Sequence, residues 1–190
     1  MFIDFITLLL VNMAAGLLIL ALFLLKGFGS PGEKAWAPAF GMVGLVGLVA
    51  GGYMALAWPI RNMGETNLSW ANPAFGEMSA LLGIVFLGAA ASVAKEWTLL
   101  PVAVYGVVAG IIAMVVGVRI IDVGLSQSPL MTGIGFLLTG LGGPLVMAVV
   151  LAPARHFLRG LTAVCLVPAA GIWLLTAVLG YWMHLELFAQ

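Results

Sequence analysis

Six stretches of this chain run for about 20 residues or more with almost no charge: roughly 3–25, 35–58, 73–94, 99–121, 130–151 and 161–183. No other feature narrows the fold as much. A helix rises 1.5 Å per residue, so about 20 residues cross the ~30 Å hydrocarbon layer of a bilayer. Strands of a membrane barrel would alternate apolar and polar residues. These stretches are apolar on every side, so the sequence predicts helices. A soluble domain has about a quarter of its residues charged. Here 7% are charged and 64% are hydrophobic, more apolar surface than one soluble core can bury. The expected fold is all-α: an integral-membrane six-helix bundle forming a single domain, with the lipid bilayer as its main partner.

The connections suggest a direction. The segments "KGFGSPGEK" (26–34), Lys95-Glu96 and "APARHFLRG" (152–160) fall on one side of such a bundle. They hold Lys26, Lys34, Lys95, Arg155 and Arg159, whereas the other side has only Arg61 and Arg119. Basic loops stay in the cytoplasm. The expected location is therefore the cytoplasmic membrane of a prokaryote, multi-pass, with both termini on the outer side. The first stretch lacks a basic leader and a small-residue cleavage site, so it reads as a span rather than a signal peptide.

Glycine is spaced rather than scattered. Gly41, Gly44, Gly47 and Gly51 lie in the second stretch. Gly106, Gly110, Ala113 and Gly117 lie in the fourth, and Gly133, Gly140 and Gly143 in the fifth. In lipid, small residues let helix backbones approach closely, so these stripes are expected to be seams within the bundle. A homo-oligomer face is the other use of such a stripe. A partial repeat, "WAPAFGM" (36–42) and "WANPAFGEM" (70–78), opens the second and third stretches from opposite faces. It reads as helix-start chemistry: an interfacial Trp, then a Pro suited to the first turn. Met42 in one copy stands where Glu77 stands in the other, so starting the helix does not require an acid there.

Polar groups gather at the outer side. Glu77, Arg119 and Asp122 all lie at outer helix ends and are expected to form one cluster, because a lone charge near hydrocarbon costs a few kcal/mol. Arg61, Glu65 and Asn67 belong to the loop above it, and Asn12 and Tyr53 are candidate lining residues. The cluster would be either an ion pair locking the third and fourth helices or a pocket. His184 is a weak metal-ligand candidate, with Glu65 or Asp4 nearby. His156 and His184 are the only histidines and flank one stretch, too far apart to hold one haem in a monomer. Cys165 is the sole cysteine and permits no internal disulfide. Zero net charge argues against nucleic acid. No nucleophile triad, phosphate loop or metalloprotease motif is present, so the sequence points away from an enzyme and indicates no cofactor.

"GVRIIDVGLSQSP" (117–129), "FGE" (75–77) and "MFIDFITLLLVNMAAG" (1–16) resemble an uncharacterised prokaryotic membrane family, domain of unknown function 981. "KAWAPAFGMVGL" and "GIGFLLTGLGG" fit the same resemblance, which covers essentially the whole chain. It implies the membrane class and a prokaryotic origin, and carries over no catalytic residue. The functional expectation is an outward-facing polar or acidic pocket for a cation, proton or small polar ligand. The alternatives are an accessory subunit of a larger membrane complex, such as a respiratory one, and, more distantly, a haem- or quinone-linked redox subunit.

Overall fold

In the computed structural model, residues 4–61 and 68–188 are described. Among them are six helices long and apolar enough to cross a membrane and no strand. Helix α1 spans Phe5–Leu22 and widens into a π-helical turn at Phe23–Gly27. A 3-10 turn, Glu33–Trp36, leads into α2, Ala37–Ala57. A second π-helical segment, Asn72–Glu77, leads into α3, Met78–Lys95. Helices α4 (Leu100–Val123), α5 (Pro129–Leu151) and α6 (His156–Phe188) complete the chain. Proline opens α2, the Asn72–Glu77 segment, α4 and α5, where its missing N–H costs nothing. The sequence-predicted boundaries agree to within two residues, except that α6 extends beyond the expected 161–183 at both ends.

The helices form a ring. Each packs on its neighbours in sequence, and α6 returns to α1. The packing is uneven: α4 lies along α5 and α2 lies along α3, whereas α3 and α4 touch much less.

Glycine placement is the physical cause. A Cβ on Gly110 would stand 2.3 Å from the Gly140 carbonyl oxygen, and one on Gly140 would stand 2.4 Å from that of Gly110. A Cβ on Gly143 would likewise stand 2.3 Å from the Gly106 carbonyl oxygen, although Gly106 does not return the approach. Such geometry aims Cα–H groups at facing carbonyls, a weak contact that recurs between close helices. Pro144 adds to it, because without its N–H the Gly140 carbonyl lacks its usual helical partner. Between α2 and α3, Gly44 and Gly83 interlock in the same way, at 2.9 and 2.8 Å from each other's carbonyls. At the α3–α4 seam the facing residues are larger. Gly106 meets Val85 at an ordinary 3.8 Å, and Gly88 meets Val102 at 3.2 Å.

Candidate functional site

The three loops 26–34, 95–98 and 153–160 do share one end of the ring. Lys34 Nζ lies 3.1 Å from Glu96 Oε1. Arg159 donates from Nη1 to the Phe28 carbonyl (3.0 Å) and from Nη2 to the Pro153 carbonyl (2.9 Å). We call this the basic end. The opposite, acid-rich end holds Asp4, Glu77, Asp122 and Glu186 with Arg61 and Arg119.

At the acid-rich end the expected three-membered cluster is not assembled. Arg119 Nη1 pairs with Asp122 Oδ2 at 2.5 Å, one helical turn along α4, with both side chains mostly exposed. Glu77 is exposed and makes no hydrogen bond or ion pair among the described residues. The reason is the loose α3–α4 seam. A short connection makes these helices sequence neighbours, but their glycines commit each to a different partner. Glu77 also occupies the position equivalent to Met42 in the partial repeat, and both are exposed, whereas the preceding Phe40 and Phe75 are buried. Arg61 is exposed, and Glu65 and Asn67 lie outside the described residues. Tyr53 is exposed and stacks on Phe5, with ring centroids 5.3 Å apart.

Two asparagines prove structural. Asn12 Nδ2 donates to the Val43 carbonyl (3.0 Å) and so ties α1 to α2. The fully buried Asn72 accepts from the Ile60 N–H (3.1 Å) and donates to the Ile60 carbonyl (2.7 Å) and the Ser69 carbonyl (3.0 Å). It pins the end of α2 to the entry of α3, which explains part of the polar content of that segment. His184 Nδ1 pairs with Asp4 Oδ2, joining α6 and α1 at the acid-rich end. Burial pushes the Asp4 carboxyl up, but hydrogen bonds from Thr7 and His184 outweigh it and hold the carboxyl below its usual value of 3.8. No group of three metal-ligating side chains occurs among the described residues. His156 and His184 stand on the same helix, α6, 28 residues or roughly 40 Å apart.

The space left by uneven packing is at the centre. A cavity of about 120 Å³ lies inside the ring, bordered chiefly by α1, α3, α4 and α5. Along α4 its lining runs from Leu99 to Ala113, and along α5 from Phe136 to Val150, which is roughly 21 Å in each case. At the α3–α4 seam its lining residues Leu82, Val85, Val102, Gly106 and Ala109 are half-buried. Thr139 is the only hydrogen-bonding side chain in the lining, and its hydroxyl is occupied. It donates to the Gly135 carbonyl (2.7 Å) and accepts from the fully buried Trp173 indole (2.9 Å). The cavity therefore presents almost entirely hydrocarbon, aromatic rings and methionine sulfur, with no side-chain donor left free in the lining. Apolar cavities on the order of 150 Å³ stay dry and take small apolar guests.

The cavity runs to the basic end, where Phe23, Leu24, Phe28 and Leu99 line it. Phe23, Phe28, Trp36 and Phe40 form an edge-to-face cluster there, and the Arg159 guanidinium lies 5.0 Å from the centre of the Phe28 ring. Sequence reasoning missed this site. The available signal was that the small residues of α4 occupy two adjacent faces. Gly110 and Gly117 point at α5, while Ala103, Gly106, Ala109 and Ala113 border the cavity, which Gly110 also reaches.

The chain belongs to the family described as "Protein of unknown function (DUF981)", which matches residues 1–187. No curated protein and no solved structure matches it.

Proposed function

We propose that this is a six-span protein of a prokaryotic cytoplasmic membrane, with the basic end in the cytoplasm and both termini outside. Its function is to bind a few carbons of a hydrocarbon chain in the central cavity. The observation that carries this reading is the chemistry of the lining, in which the one hydroxyl is already bonded at both ends. A cation, proton or small polar ligand would lose its water there and gain no partner. A lipid tail loses nothing, and the loose α3–α4 seam faces the bilayer from which it would come. The role is binding or presentation of a lipid, not bond-making chemistry.

Photo-crosslinking tests it. A fatty acid carrying a diazirine near the end of its chain, added to vesicles containing the protein, should label Leu82, Val85 or Ala109. Labels confined to outward-facing residues such as Val108, Val115 and Leu141 would reject the reading.

A second reading retains one observation. The Asp4–His184 pair is partly buried at the outer helix ends, so an outward-facing polar site would centre there rather than on Glu77. Loss of proton or cation binding in Asp4→Asn, with chain binding intact, would support it.

A further inference from the structure

We infer that the cavity ligand is an amphiphile with an anionic, phosphate-type headgroup held by Arg159 at the basic end, its tail lying in the cavity. This rests on the chain-binding reading above and adds the chemistry of the head.

Phe28 is the junction. Its side chain lines the cavity and its ring carries the Arg159 guanidinium, while its carbonyl accepts from Nη1. The hydrocarbon slot therefore ends at a fixed cation. A guanidinium has five N–H donors, and two are used on carbonyls here. Nε is buried without a partner. No carboxylate answers the charge among the described residues. Glu33 accepts from the Gly29 N–H and Glu96 pairs with Lys34. Arg159 is the half-buried member of the basic set, while Lys26, Lys34, Lys95 and Arg155 stand exposed around it. A planar fork with spare donors suits a phosphate better than a neutral head does, and the surrounding lysines favour the same sign of ligand.

The same contacts would also serve a plainer role, Arg159 tying loop 26–34 to loop 153–160. Binding measurements separate the two. Native mass spectrometry on detergent-purified protein would compare dioleoylphosphatidic acid, dioleoylglycerol and inorganic phosphate. The first two share tails and differ in the phosphate; the third has no tail. Phosphatidic acid should bind about tenfold tighter than dioleoylglycerol, as expected for hydrogen bonds to a charged group. Inorganic phosphate should neither bind measurably nor displace it. Arg159→Gln should lower phosphatidic acid to the dioleoylglycerol level and leave dioleoylglycerol unchanged, with Arg159→Lys between the two. Equal binding of the two lipids by the unaltered protein overturns the headgroup assignment but leaves the cavity reading standing. So does a preference that survives Arg159→Gln. Binding of neither lipid overturns both. Should Arg159→Gln not fold, the comparison of the two lipids on the unaltered protein decides.

Discussion

Gly106 and Gly110 sit one turn apart on α4 and face different neighbours. A methyl on Gly110 would strike the Gly140 carbonyl at 2.3 Å; one on Gly106 would rest against Val85 at 3.8 Å. The first belongs to the α4–α5 seam, where backbones are in contact. The second lends its carbonyl to that same seam, 2.3 Å from where a Cβ on Gly143 would stand, but turns its own Cβ direction to the looser α3–α4 seam. The lesson concerns how a very apolar chain makes an interior. With no hydrophobic drive between helices in lipid, backbone contact at glycine sets which pairs close. Where valine and leucine face each other instead, the gap remains, and that gap is the candidate site.

The largest expected effect breaks the tight seam. Gly110→Ala should cost about 1–3 kcal/mol through overpacking, and Gly110→Leu should abolish folded protein in mild detergent. Gly106→Ala should stay within about 0.5 kcal/mol. Gly106→Leu should fold while obstructing the cavity. Thermal melts followed by size-exclusion chromatography read all four; equal damage at both positions would erase the contrast. Next is Asn12→Leu, which removes the α1–α2 tie and should cost about 0.6 kcal/mol, the average for a hydrogen bond between membrane helices.

Asp4 gives a pH signature. Its carboxyl is held below the usual value, so the folded chain binds that proton more weakly than the unfolded one. Its contribution is therefore present above pH 3.8 and fades as pH falls below it. Melts of Asp4→Asn should lack that acid limb. Smallest is Arg119→Ala. The Arg119–Asp122 pair is exposed on one helix, so the change should cost less than about 1 kcal/mol. A large loss would restore the idea of a buried cluster that includes Glu77.

Much of the architecture was legible because it rests on local chemistry. Six runs of the right length, four prolines at helix starts and glycines at regular spacing give the helices and most of their boundaries. What escaped the sequence depends on pairing. Glu77 and Arg119 looked like neighbours because a short turn joins α3 to α4, yet a turn fixes order, not contact. Asn72, inside the repeated helix start, gave no sign that it would bond Ile60 and Ser69. Gly106, Gly110, Ala113 and Gly117 read as one stripe, although they serve a seam and a cavity. Thr139 gave no sign that its hydroxyl would be consumed by Gly135 and Trp173.

The central claim is that a hydrocarbon chain enters the ring, and Trp173 can report it. Its indole is fully buried against Phe136 and Thr139, both of which line the cavity. A variant keeping Trp173 and replacing the other five tryptophans with Phe would be placed in vesicles of brominated lipid. Quenching by bromine is short-range, and Trp173 stands one side chain behind the cavity lining, so a chain in the cavity brings bromine nearer to it than lipid outside the ring does. The account predicts strong quenching of Trp173 that Gly106→Leu removes. Emission equal in brominated and ordinary lipid would show that no chain reaches the cavity and would contradict it.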